Sequence, residues 1–532
     1  LRWALAGWRP VALLASTVAL FAVTFMLMFV AGPETVFFPS ADPNYAYIYV
    51  QMPYGTDAAA TDSVLRIVET RVQKVIGDSN DLVKSVIGNV GLGAGDPQNP
   101  DRTTTPHKGK VTVAFVEYHL RQGKSTNDYL KQFREALRGM PGVEIVVDKE
   151  SSGPPTGKAI NVEISGDNLD TLVSLQDKVK ALLVDSLKIG GIERLKSDLV
   201  RNKPEITVVV DRQKANSEGI STAQVGMGLR NALYGAEATK YRAGEEEYPV
   251  QLRVTESMRS NPDALLNLPI TFREMSSGSF RQVPMSSVAR IEYTSTFAGI
   301  NRKNQERVVT LSSNVLKDDG FNENAVAANV ANAIQGMVLP EGYEVKLTGG
   351  QEQQQESASF LGFAFLVAAM LIFLVMVAAF NSVTKPLLIM TTVVFSLIGV
   401  LLGFIIFQMT FSIAITGVGI IALGGIVVRN GIVLVDFTDV LRKQGWLIRR
   451  AIIEGGAIRF NPVILTAGAT TLGLIPLAVG LNIDFSELIN LRNPHIHIGS
   501  DSVAFWGPLA WSIVFGLTFS TCLLYTSPSP RD

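Results

Sequence analysis

From Lys385 to Arg429 the chain reads KPLLIMTTVVFSLIGVLLGFIIFQMTFSIAITGVGIIALGGIVVR, with no charged side chain between those two ends. A helix that crosses the hydrocarbon core of a bilayer needs about 20 mostly apolar residues. The stretch is long enough for two such helices and divides at the more polar run Gln408–Ser412, giving spans over Pro386–Phe407 and Phe411–Phe437. Working outward, Val11–Gly32, Ser357–Ser382, Phe460–Ile483 and a segment from Val503 toward Leu524 have the same character, which makes six. The competing reading, buried helices of a large soluble protein, fits poorly with so many long apolar runs following one another.

Of the 532 residues, 47% are apolar and 18% charged, where a soluble domain carries about 25% charged residues. The charges crowd between Glu34 and Glu356 and thin out elsewhere. A net charge of −1 argues against a nucleic-acid partner. The single cysteine, Cys522, excludes a disulfide framework and a cysteine-rich metal site. The first residue is Leu1 and no signal-peptide layout precedes Pro10, so the start reads as the interior of a longer chain.

Short basic loops mark the cytoplasmic side of a membrane protein. Thr438–Arg459, expected as a loop, holds Arg442, Lys443, Arg449, Arg450 and Arg459 against Asp439 and Glu454. Lys385 lies in a second short loop, and Arg2 and Arg9 precede the first span. With six spans these sites share one face, and the charged region from Gly32 to Glu356 lies on the opposite, exported side.

That region is expected to fold as β-α-β units. Tyr45–Met52 alternates and is rich in Tyr, Ile and Val, a strand. Val64, Ile67, Val68, Val72 and Val75 then fall on one helical face of Asp57–Ile76. Strand Lys110–Tyr118, helix Ser125–Arg138 and strand Val143–Asp148 follow. A second round takes strand Ala159–Ser165, helix Leu169–Ser186, strand Glu205–Val210, helix Thr222–Leu233 and strand Tyr248–Val254. A third takes strand Arg307–Ser313, helix Asn324–Met337 and strand Tyr343–Thr348. The order is that of split, ferredoxin-like β-α-β folds. Gly88–Thr105 and Gly235–Glu247 read as loops, and Gly91, Gly93 and Gly95 lack the Gly-Lys-Ser/Thr that would complete a phosphate-binding loop. No ATPase signature occurs, and no enzyme activity or cofactor is expected. His107, His119, His495 and His497 are too scattered to define a metal site.

Ionisable groups inside a span are costly and usually face a bundle interior or an ion path. Arg429 stands among Gly, Ile, Val and Leu, followed by Asn430, with Asp436 two helical turns further on. An arginine keeps its proton at any physiological pH, so its role is that of a counter-charge to a carboxylate, and no deep carboxylate lies in these six spans. Thr466, Thr470 and Thr471 of the fifth span add hydroxyls, and Gly417, Gly419, Gly424, Gly425 and Gly431 thin one side of the fourth for close packing.

Five stretches together resemble the resistance-nodulation-division (RND) superfamily, specifically the C-terminal half of a hydrophobe/amphiphile efflux permease. They are Phe37–Pro43, Met52–Thr56, Gly417–Phe437, Arg459–Thr466 running on to Gly473–Leu477, and Phe505–Ala510. The resemblance implies a homotrimer in the inner membrane of a Gram-negative cell, with its large domain in the periplasm. It also implies a periplasmic adaptor and an outer-membrane channel as partners, and protons driving drug-like or amphiphilic compounds outward. It places a proton relay at Arg429, Asn430, Arg459 and Thr466, facing two aspartates of an N-terminal half. Two departures stand out: the family usually has lysine where this chain has Arg429, and often Arg-Pro where it has Asn461-Pro462.

The implied domains are 1–33 for the first membrane helix, 34–356 for the porter and docking domain and 357–525 for a five-helix membrane region. The last helix is expected to be cut short, with 526–532 as a non-native tail. Phe272, next to the loop Met275–Phe280, and Phe280 are the candidates for a cargo cleft, the alternative being that they cover a subunit joint. The alternatives are a metal-ion or lipid-like exporter of the same superfamily, and a non-transporting assembly component. The absence of a Met or His cluster in this region leans against soft metal cargo.

Overall fold

In the computed structural model, residues are described except 1–7, 40, 78–79, 96, 98–103, 122, 151–156, 202, 274–277, 298, 317–319, 484, 486–487, 490–491, 493–495 and 527–532. Among the described residues six helices are long and apolar enough to cross a membrane. They are α1 (Arg9–Ala31) and, after the extramembrane elements, α10 (Gly350–Phe380), α11 (Thr384–Ile406), α12 (Ile413–Lys443), α13 (Ile448–Val479) and α14 (Asp501–Thr526).

The division expected near Gln408 is present. Gln408 takes a left-handed backbone (φ 48°), and Ser412 caps α12 by accepting from the Ile415 amide at 3.2 Å. The helices run further than the apolar windows. The stretch Thr438–Arg459, expected as a loop, is helical except for residues 444–447. Its Leu, Arg, Lys, Ala and Glu are good helix formers, so apolar composition marks the edge of the bilayer rather than the helix end.

Glycines bring the inner helices together. A Cβ added at Gly403 of α11 would lie 2.2 Å from the Phe515 ring of α14. One at Gly419 of α12 would meet the Ser512 Oγ at 2.0 Å, and one at Gly516 of α14 would meet Leu423 at 2.1 Å. Backbones that touch this closely replace the hydrophobic drive that helices lack in lipid.

The first extramembrane sheet is built from β2 (Tyr45–Gln51), α2 (Ala58–Ile76), β3 (Val83–Gly91), β4 (Thr105–Phe115), α3 (Asn127–Leu137) and β5 (Glu144–Lys149), following the short strand β1 (Thr35–Val36). Its strand order is β3-β4-β2-β5, antiparallel throughout. Asp57 caps α2 through the Ala59 amide, and Leu65, Val68, Val72 and Ile76 pack with Ala46, Ile48, Val50, Val111, Val113 and Phe133. Because side chains alternate along a strand, Tyr45, Tyr47 and Tyr49 occupy the opposite face of β2, with successive rings 6.3 and 6.2 Å apart.

The second sheet uses β6 (Ile160–Gly166), α4 (Leu169–Ala181), β7 (Lys196–Ser197), β14 (Asn301–Lys303), β15 (Glu306–Ser313), α9 (Glu323–Gln335) and β16 (Glu344–Thr348). The order is β14-β15-β6-β16, with β7 also on β15. Leu199–Ile300, between β7 and β14 in sequence, forms a separate unit. It holds β8 (Lys203–Val210), α5 (Arg212–Ser217), α6 (Thr222–Tyr234), β9 (Ala236–Ala243), β10 (Glu246–Leu252), α7 (Glu256–Arg259), α8 (Pro262–Leu266), β11 (Pro269–Arg273), β12 (Phe280–Pro284) and β13 (Ala289–Thr296).

This corrects the expected second round. The strand at 203–210 pairs with β13, not with the sheet of β6, and β15 supplies that sheet's next central strand. Gly235–Glu247 is not a loop, since β9 and β10 form a hairpin across it. Both of its strands are exposed except at Ala236, so no alternation of apolar and polar residues betrays them. Likewise β3 begins before Gly88, in a stretch whose burial is too partial to leave a clear pattern. Three last short strands, β17 (Phe411–Ser412), parallel to β1, and the β18 (Leu481–Asn482)–β19 (His497–Ile498) pair, flank the membrane helices.

Candidate functional site

Arg429 is the seventeenth of 31 residues of α12, about 20 Å along the axis from Arg442, the first basic residue beyond it, at 1.5 Å per residue. That is deeper than the expected loop boundary at Thr438 implied. Its side chain lies on an exposed stripe of α12 with Val418, Ala422, Gly425 and Asp436. Among the described residues it has no ion-pair partner. Asn430 is 4% exposed and, one residue along the helix, projects elsewhere, so these neighbours do not act from one face.

Arg459 of α13 reaches back to α12, its guanidinium 4.4 Å from the Phe437 ring centroid. A charge over a ring face gains from the quadrupole. Thr466 donates to the Val463 carbonyl at 3.0 Å and Thr470 to the Thr466 carbonyl at 2.9 Å, so both hydroxyls are turned back onto their own helix. An ion pair that the sequence does not disclose, Lys385 with Asp439, ties the start of α11 to the end of α12. In sequence both read only as loop charges.

The two phenylalanines expected in a cleft do not line one together. Phe272 on β11 is buried with Ile270, Val283 and Met285, while Phe280 on β12 is 78% exposed. Phe272 pairs with Arg281 and Phe280 with Arg273, which puts the two rings on opposite faces of the hairpin. Met275, Ser276 and Ser277 lie outside the described residues, as does His495. His497 stacks on His119 at 4.9 Å.

A cleft of about 310 Å³ lies instead between the two sheets, lined by Tyr49, Gln51 and Lys108 on one side and Lys196, Ser312 and Asn314 on the other. Its charged lining is tightly connected. Lys158 pairs with Asp148, and Arg134 lies 3.4 Å from Glu193. The Asn314 amide donates to both carboxylates, at 3.3 and 3.2 Å. Burial pushes the Glu193 carboxyl up from its ordinary value, against the lowering by Arg134 and Asn314. Burial pulls the Lys196 ammonium down, with Glu144 opposing and Arg194 adding to the shift. These residues are spread from 49 to 314 and no local motif gathers them; only the Tyr45-Tyr47-Tyr49 alternation hints at a second usable face of β2.

Six membrane helices with a large extramembrane portion between the first and second, holding two larger sheets and the separate unit Leu199–Ile300, define a polytopic membrane protein of the transporter class. The chain belongs to the AcrB/AcrD/AcrF family of RND permeases, which its residues 3–482 match. It is 30% identical to the cobalt-zinc-cadmium resistance protein CzcA of Cupriavidus metallidurans over 60% of this chain and 30% of that protein. It is 25% identical to the multidrug resistance protein MdtC of Yersinia pestis over 99% of this chain and 47% of that one. A crystal structure of a heavy metal efflux pump superposes with a TM-score of 0.72 at 22% identity, over 98% of this chain and 50% of that one. The chain thus spans half or less of the length of the relatives it matches.

Proposed function

We propose that this chain is the C-terminal half of a proton-driven efflux permease, a transporter and not an enzyme, that exports small drug-like or amphiphilic compounds. The observation that carries the reading is Arg429: a permanent positive charge halfway along a membrane helix, on an exposed face. A charge held in hydrocarbon is strongly penalised unless paired, so that face is covered in the whole protein by an element that brings a carboxylate. The resemblance implies an aspartate pair there. Protonating it weakens the attraction to Arg429 and frees helix motion. Arg459 contributes at the α12–α13 contact, where it faces the Phe437 ring, and Thr466 adds a hydroxyl on the exposed side of α13.

The two sheets are read as split, ferredoxin-like units, on the strength of their matching strand orders. The basic helix ends around Arg442 and Arg450 support reading that end as cytoplasmic and the sheets as periplasmic in a Gram-negative cell. There a homotrimer would meet an adaptor protein and an outer-membrane channel. Cargo is assigned to the cleft between the sheets, whose volume is within the usual range for small-molecule sites. The metal-resistance relatives favour a second reading, metal-ion export. The test is dye export from proteoliposomes of the full-length protein under an imposed pH gradient. Export should stop when a protonophore collapses the gradient, and undiminished export without a gradient would contradict the proposal.

A further inference from the structure

The charges around the intersheet cleft are unequal in number and in availability. Lys108, Lys158, Arg194 and Lys196 line it against Asp148 and Glu193. Both carboxylates are already engaged, each by a basic partner and by the Asn314 amide. Arg194 is held at 2.9 Å by Glu144. Lys196 has no ion-pair partner within 4 Å among the described residues, although it stands on the short strand β7 at the cleft wall. Next to these cations are Tyr49, its ring tilted against that of Tyr47 at 6.2 Å, and the Gln51 side chain, an aromatic and amide wall rather than a set of metal ligands. No His, Cys or Met is among the described lining residues, and no cluster of three or more metal-ligating side chains occurs among the described residues.

We infer that the cleft selects small organic compounds that combine an aromatic or apolar body with an anionic oxygen group, a carboxylate or sulfonate, received by Lys196. This rests on the reading of the cleft as the cargo site and deepens it, because excess fixed positive charge opposes a divalent cation and attracts an anion. The desolvated state of Lys196 fits the same picture. Burial disfavours its charge, and a bound anion restores the stabilisation that water would have given.

The experiment uses the full-length protein in lipid nanodiscs and two dyes that share one scaffold. 1-Anilinonaphthalene-8-sulfonate carries the anion; N-phenyl-1-naphthylamine lacks it. Zinc chloride is the third probe. A charge-assisted contact in a partly buried site gives a preference of roughly tenfold or more for the sulfonate. Lys196→Gln should abolish that preference and Lys196→Arg should keep it, with zinc failing to displace the sulfonate. Equal or tighter binding of the uncharged dye, a preference that survives Lys196→Gln, or displacement by zinc would overturn the inference. A bulky maleimide on Ser312→Cys, in a background with other cysteines replaced, separates the two levels. If export of both dyes survives the block, the cleft reading falls and the inference with it. If the block stops export but binding ignores charge, the cargo class alone is wrong.

Discussion

Lys196 illustrates a residue whose presence costs stability. Its ammonium is disfavoured in the fold, so the penalty is fully present below its lowered folded pKa and disappears as pH rises past the ordinary value of 10.5. Lys196→Met should therefore stabilise the extramembrane portion at neutral pH, by on the order of 1 kcal/mol. A thermal-denaturation midpoint that falls instead would show that the lysine is held by favourable contacts. Glu193 behaves in the opposite sense: its folded pKa is raised, so its ionisation is a growing cost as pH climbs above 4.5. For an anionic ligand both shifts act together, since lowering the pH charges Lys196 and discharges Glu193. Affinity for the sulfonate dye should therefore fall as pH rises toward 10.5, where Lys196 loses its charge, and rise as pH falls toward 4.5, where Glu193 loses its own; a titration showing the reverse trend would exclude this pair as the determinant. Asn314 donates to two carboxylates at once, and Asn314→Ala should cost about 1–3 kcal/mol through the donors it removes.

Among the elements, the helices carry two kinds of glycine. Gly403 and Gly419 are pressed against α14, and a leucine at either should cost about 1–3 kcal/mol or more through overpacking. A methyl group added at Gly362 of α10 would meet nothing within 4 Å, so Gly362→Ala should be neutral or stabilising by up to about 1 kcal/mol. Comparing the detergent thermal stability of the three variants checks this, and equal effects would mean that the close contacts are not what joins the helices. The spans themselves are legible in the sequence because hydrocarbon demands long uncharged runs, and the break at Gln408 because polar residues interrupt one. Strand β2 is legible because burial of Ala46, Ile48 and Val50 forces alternation. The hairpin β9–β10 is not, because it buries almost nothing, and the sheet to which β8 belongs is hidden because its partner β13 follows some eighty residues later. Arg429 announces itself as one charge in an apolar run, whereas the cleft charges become a group only when two sheets meet.

For the whole molecule, one sidedness governs every part of the account. Cysteines placed at Thr239, on the exposed hairpin, and at Gln444, between α12 and α13, should label from opposite sides of the membrane in the full-length protein. Labelling from the same side would invert the assignment of the cleft to the exported face. The central claim is that Arg429 is the fixed counter-charge through which proton binding is felt, and it is tested most directly by coupled flux in proteoliposomes of the full-length protein. Arg429→Ala should abolish gradient-driven export while leaving assembly and dye binding largely intact. Arg429→Lys should retain at least part of it, because the positive charge and not the guanidinium fork is required. Normal gradient-driven export by a correctly inserted Arg429→Ala protein would contradict the account and leave Arg429 a structural residue.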